Sequence, residues 1–198
     1  MNRICWAVIS LIWLSGCNRN ESQTRTADTS TSPSAPSSEW TGRKILPTEV
    51  PKNWVVWTAR SGFKVATPAP LLSLSMPEQL PGFDQSLYGV DHAGVRYQIS
   101  LSSEKPESRA DLLNVFFEAM FDNFAESSGL RREGTTERLM VDRHPVAQSR
   151  FTDGSRNAIV RAAYLENQSV VLAVLKRGAV IDSDPAIGGF LNSLSLTQ

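Results

Sequence analysis

Two residue types that often carry chemistry are nearly missing from this chain, which has 2 cysteines and 2 histidines among 198 residues. Both cysteines, Cys5 and Cys17, stand near the start, so everything beyond Cys17 has neither a thiol nor a disulfide. A body without disulfides is held by its hydrophobic core alone, and the roughly 150 residues after Glu39 suffice to bury one in a single domain. Neither charge sign is in excess, with 20 basic and 20 acidic residues. A near-neutral surface gives no electrostatic reason to expect nucleic acid or an anionic membrane as partner. Compact chemical motifs are missing as well. There is no G-x-S-x-G elbow, no phosphate-cradling loop, no dinucleotide fingerprint and no Cys/His zinc pattern, so no cofactor is implied. No internal repeat is visible.

The one conspicuous apolar run is at the start. Arg3 supplies a short positive region, and Ile4 to Leu14 form an apolar segment too short to span a bilayer as a permanent helix. Leu14-Ser15-Gly16-Cys17 follows, and this arrangement resembles the lipobox of bacterial lipoproteins. The resemblance implies that residues 1–16 are a signal peptide and that cleavage leaves Cys17 as an acylated N-terminus. Each buried methylene contributes roughly 0.8 kcal/mol, and two or more chains anchor stably where one does so only marginally. The mature chain would be held to membrane lipid through Cys17 without spanning the bilayer. Asn18 follows, where aspartate favours inner-membrane retention in enteric bacteria, which leans toward an outer membrane and its periplasmic side. Without the leader the balance is 19 basic against 20 acidic residues, since only Arg3 is lost.

Residues 17–45 read as the lipidated cysteine and a linker. Asn18 to Ser38 is dominated by Ser, Thr, Pro, Asn and Ala and holds no large apolar residue, so disorder is the expectation. A flexible coil of that length spans about 25 Å root-mean-square. Trp40 to Pro51 is transitional, with Trp40, Ile45, Leu46 and Val50 available to dock on the body.

Residues 46–198 read as one α+β domain. Trp54 to Thr58 and Phe63 to Thr67 have the character of strands, separated by a turn at Arg60-Ser61-Gly62, and residues 71–82 look irregular. Ser86 to Val90 and Val95 to Leu101 predict a hairpin about Asp91-His92-Ala93-Gly94. Ser108 and Asp111 have the spacing of a capping box, and Leu112, Leu113, Phe116, Phe117, Met120, Phe121 and Phe124 then make one apolar helix face ending at Gly129. Glu137 to Val141, Val146 to Thr152, Asn157 to Leu165 and Val170 to Leu175 predict a meander, with Asp153-Gly154 a hairpin signal. Asp184-Pro185 starts a short helix whose apolar face is Ile187, Phe190, Leu191 and Leu194. The fold class expected is therefore an antiparallel β-sheet meander packed with one long and one short helix.

This element order, with Gly62-Phe63-Lys64-Val65 before Pro68 and a closing Phe190-Leu191-Asn192-Ser193-Leu194, resembles the PsbP-like fold. The resemblance covers roughly residues 54–196 and implies an α/β/α sandwich. It also implies a non-catalytic binding or assembly role, since members of that fold act mostly in this way. No functional residue is carried over from it, and the scarcity of histidine and the long Ser/Pro tether depart from a photosynthetic extrinsic subunit.

Candidate sites are few. His92 and His144 each stand in an expected turn beside an acid, in Asp91-His92 and Asp142-Arg143-His144. If those turns met, they would make a metal site or an acid–base pair, and the alternative function is a small envelope hydrolase or metal-dependent enzyme. Turns are rich in both residue types, and solvated loop residues are the plainer account. Arg131-Arg132 and Lys176-Arg177 would suit a phosphate or a polysaccharide carboxylate, or simply be boundary charges. Asp182 and Asp184 fit a helix cap. Trp54 and Trp57, three apart, would point to opposite faces of a strand, and one exposed ring would mark a partner or carbohydrate surface. The function expected is a membrane-anchored, non-catalytic module whose partner is a protein or envelope component. A purely structural lipoprotein is the third possibility.

Overall fold

The computed structural model describes residues 40–46, 49–59, 62–75, 85–102, 110–165, 168–178 and 184–196. The leader, Cys17, the linker to Glu39, the Ser108 cap, Asp182, the Arg60-Ser61 turn positions and Glu166-Asn167 lie outside them. Eleven strands and two helices are described: β1 (Arg43–Lys44), β2 (Val55–Thr58), β3 (Phe63–Thr67), β4 (Leu72–Leu74), β5 (Gln85–His92), β6 (Val95–Ser102), α1 (Ala110–Ser128), β7 (Arg131–Val141), β8 (His144–Thr152), β9 (Arg156–Leu165), β10 (Gln168–Arg177), α2 (Pro185–Asn192) and β11 (Ser195–Leu196). The chain is α+β, as its pattern of elements predicts.

Eight strands form one sheet in the order β1-β7-β8-β9-β10-β6-β5-β4, and β11-β3-β2 form a small second sheet. The pairings are antiparallel except for β1, which runs parallel to β7 through Arg43 opposite Leu139 and Lys44 opposite Met140. Strand residues alternate between faces, and both faces of the central strands are buried. On one face Tyr97, Ile99, Leu139, Val146, Leu172 and Val174 meet Phe63 and Val65 of the small sheet and Ile187, Phe190 and Leu191 of α2. On the other face α1 lies over β7, β8 and β9. Its Phe116, Phe117, Phe121 and Phe124 rings sit on Ala147, Ala158 and Ala162, small residues that let the bulky helix face approach the sheet.

Local chemistry explains the element ends. Gly129 takes φ +68° after α1, as a left-handed C-terminal position requires. Asp184 caps α2 by accepting from the Ala186 amide at 3.0 Å, with Pro185 at its first turn. Asp153 accepts from Ser155 N and Arg156 N at 2.9 and 2.7 Å and holds the β8–β9 turn. The β5–β6 hairpin is tighter than a four-residue turn. Ala93 and Gly94 both have positive φ and alone form the turn, leaving Asp91 and His92 in the strand.

Other departures have equally local causes. Residues 71–82 are not wholly irregular, because Leu72–Leu74 pairs with β5 as a short edge strand, while 76–82 lie outside the described residues. β8 begins before Pro145, which is tolerated because pairing with β9 starts only at Val146. β7 is longer than expected and irregular between Glu133 and Glu137, where Gly134 has φ +71°. The stretch from Trp40 to Ile45, the end of the 17–45 segment and the start of the transitional stretch, lies on the sheet edge, with Trp40 and Ile45 docked as their apolar side chains allow. Trp40 stacks on Phe117 at 5.2 Å and donates to Leu139 O at 3.1 Å, while Ile45 packs on the opposite core. Gly42 permits this crossing, since a Cβ there would stand 2.8 Å from Leu139 N.

Candidate functional site

A cleft opens among the described residues on the α1 side. Because α1 lies over β7 to β9, the sheet surface of β10, β6 and β5 emerges beside it. Met120 and Phe124 of α1 form one wall, Leu87 of β5 the other, and Gln98, Ser100, Val171 and Ala173 the floor. The cleft encloses about 410 Å³ out to its open mouth, and its surface is almost wholly apolar. Most of that space is the open mouth, and the room for water-sized centres is about 30 Å³, so this is a shallow apolar groove and not an enclosed small-molecule cavity. Leu74 lies opposite Leu87 across the β4–β5 pairing and continues the apolar surface toward Leu72, which is 66 % exposed. Met120 and Phe124 were legible in the sequence as helix-face residues, but not as a cleft wall.

The two histidines do not share a site. His92 is exposed at one end of β5, in a row running through Val95, Lys176 and Asn157 to Thr152. His144 starts β8, eight residues before Thr152 and four strands away. Strand rise and spacing put the two about 30 Å apart at opposite ends of the sheet. Acid–base or metal chemistry needs contact distances, so the combined His92/His144 site is excluded by the up–down order of the strands. Among the described residues no group of three or more His, Cys, Asp or Glu comes together as a metal-ligand set.

Each basic pair has one tied member. Arg132 bonds Glu118, and Asp122 at 2.8 Å, and lies over the Phe121 ring. Lys176 donates to Asp184 at 3.1 Å, whereas Arg131 and Arg177 are exposed. Burial raises the Glu118 and Asp184 carboxyls, but the bonds from Arg132 and Thr136, and from Lys176 and the Ala186 amide, outweigh it and leave both below the ordinary range. These are cross-links between elements rather than an anion site. Neither tryptophan points away from the body. Trp54 precedes β2 and packs edge-on to Tyr97 at 6.3 Å, and Trp57 packs on Tyr88 at 4.9 Å. The strand starts at Val55, so the opposite-face expectation does not apply, and Val56 is exposed instead at 56 %.

One buried group was not anticipated. Arg161, in the middle of β9, is 5 % exposed and donates to Gln148 Oε1, Leu191 O and Asn192 Oδ1. It ties β9 and β8 to the C-terminal end of α2. Burial pushes its guanidinium down to about 10. The signal was present as a lone charge inside the apolar run Ile159-Val160-Arg161-Ala162-Ala163.

Among the described residues no helix is long and apolar enough to cross a membrane. No protein-family model matches the chain, and no curated protein matches it in sequence.

Proposed function

We propose that this chain is a lipid-anchored, non-catalytic binding or assembly module of the cell envelope, with a PsbP-like body and the cleft beside α1 as its binding surface. The observation that carries the reading is Leu14-Ser15-Gly16-Cys17 directly after the apolar run Ile4 to Leu14. Acyl groups on Cys17 hold the body on the periplasmic side of the outer membrane, and the Ser/Thr/Pro-rich spacer gives it reach. The order of strands and helices supports a PsbP-like body, and the apolar cleft supports recognition of an apolar group on a protein or envelope component.

The test is the intact mass and the membrane partition of the native chain beside Cys17→Ser. The expected result is a chain beginning at an acylated Cys17 in the membrane fraction, and a Cys17→Ser form that leaves that fraction. A free thiol at Cys17, or an uncleaved leader, refutes the reading. A photo-crosslinking residue at Ser100 should trap one partner from native membranes, and trapping equal to that from exposed Thr58 would refute the cleft as the binding surface.

A further inference from the structure

The N-terminal chain joins the body on the same helix that walls the cleft. Trp40 packs on Phe117 of α1, while Met120 and Phe124 of that helix line the cleft. We propose that one acyl chain carried on Cys17 lies in this cleft whenever the protein is off the bilayer. The proposal rests on the lipidation reading above.

Three features argue for this occupant. The lining residues Leu87, Met120, Phe124, Val171 and Ala173 present carbon to the cleft, and none of the lining side chains is charged. Such a surface suits an aliphatic chain and gives a charged ligand no partner. The second feature is reach. Residues 18–39 separate Cys17 from Trp40, and a coil of that composition and length spans about 26 Å. An α-helix with its side chains is about 10–12 Å across, so the far flank of α1 is within range of the tether. The third is effective concentration. A short flexible tether holds its cargo at millimolar concentration, and millimolar affinity requires burial of only about five methylenes. In a bilayer the whole chain is buried, so insertion empties the cleft. Membrane residence would thereby open the surface assigned above to the partner.

Metabolic labelling with a diazirine-bearing fatty acid puts a photoreactive chain on Cys17 of the full-length protein. The lipidated protein is purified, freed of detergent micelles, its intact mass measured, and then irradiated and mapped by peptide mass spectrometry. The expected result is intramolecular cross-links on Met120, Phe124, Leu87 and Val171. Adding phosphatidylethanolamine vesicles should shift the cross-links to lipid. Ser100→Leu or Ala173→Leu, which fill the floor, should lose most of the cleft cross-links at unchanged circular dichroism. Cross-links of an acylated chain scattered over the surface overturn the proposal and leave lipidation standing. An intact mass without acyl groups overturns both, and the two failures are told apart by the mass alone. The wild-type map decides the question even if neither filled variant folds.

Discussion

Replacement of Arg161 by methionine is the sharpest test of how the layers are held together. The guanidinium supplies hydrogen bonds to three acceptors: Gln148 Oε1 at 3.0 and 2.7 Å, Leu191 O at 2.5 Å and Asn192 Oδ1 at 3.0 Å. None of these acceptors carries a charge, although the C-terminal end of α2 offers a favourable dipole. Leaving a buried acceptor without its donor costs about 1–3 kcal/mol, so the two buried acceptors, with a smaller part from half-buried Asn192, set a gross loss of roughly 5 kcal/mol. Part of that is returned. The guanidinium is held near 10 rather than at its ordinary 12.5, which means that burial disfavours the charged form by about 3 kcal/mol. Methionine keeps most of the aliphatic stem, so the cavity is small. The net expectation for Arg161→Met is a destabilisation of about 2 kcal/mol, or roughly 4–8 °C in melting temperature.

The same arithmetic predicts the double variant. Arg161→Met with Gln148→Leu removes donor and principal acceptor together, and replacing both partners of a buried bond by apolar groups is close to neutral. The pair should therefore be no less stable than Arg161→Met alone, giving a coupling energy of about 1–2 kcal/mol in a double-mutant cycle. Urea midpoints at constant slope are the measurement. Arg161→Met equal in stability to the wild type, with additive behaviour beside Gln148→Leu, would refute the assignment of Arg161 as the tie between β9, β8 and α2.

Three further outcomes rest on the lowered carboxyls and on the edge-strand geometry. The carboxyls of Asp91, Glu118, Asp153 and Asp184 all lie below their ordinary values in the folded chain. Their contribution is therefore complete above the ordinary carboxylate range and is lost as pH falls through it; urea midpoints should stay level from about pH 7 to 5 and drop below about pH 4. Asp184→Asn keeps a capping side chain but gives up the titrating bond to Lys176, so its acid-side fall should be shallower; an equal fall would contradict this role. Gly42→Ala places a methyl group 2.8–2.9 Å from the Arg138 and Leu139 backbone and should detach the edge strand at a cost of about 1–3 kcal/mol. Amide exchange at Ile45, whose N–H donates to Met140 O at 2.8 Å, should then accelerate while β9 stays protected; unchanged exchange at Ile45 would count against it.

What the sequence showed clearly was local. The aromatic stripe from Leu112 to Phe124, with Leu112 only half-buried, Gly129 at the helix end, the Asp184-Pro185 start and the Asp153-Gly154 turn appear as read, because each depends on neighbours within a few residues. What it did not show depends on distant partners. The meander predicts that β10 pairs with β9, but nothing near Val170 says that β6 is its partner on the other side. Leu72–Leu74 is too short for a period to register and is fixed by Gly89 and Leu87 of β5. The separation of His92 from His144 follows from strand direction, which a turn signal does not encode. The cleft is harder still to read, since its walls come from three strands and a helix far apart in the chain.

The cleft is a consequence of unequal coverage. Eight strands at their usual spacing make a sheet about 34 Å wide, whereas one helix with its side chains is about 10 Å across. The short helix α2 and the small sheet are committed to the opposite face, where Phe63, Ile187 and Phe190 close the core. On the α1 face β7, β8 and β9 are covered, and the ground between α1 and the β4 edge falls to the side chains of β10, β6 and β5. Gln98 and Ser100 of β6 make that ground tolerant of water, as a solvated sheet face requires. Leu87, Leu74 and the exposed Leu72 break the polar pattern along β5 and β4, continuing an apolar strip outward from Met120 and Phe124. That break in alternation is the physical feature that supports the recognition role proposed above for this half of the sheet over one at the histidine-bearing strand ends.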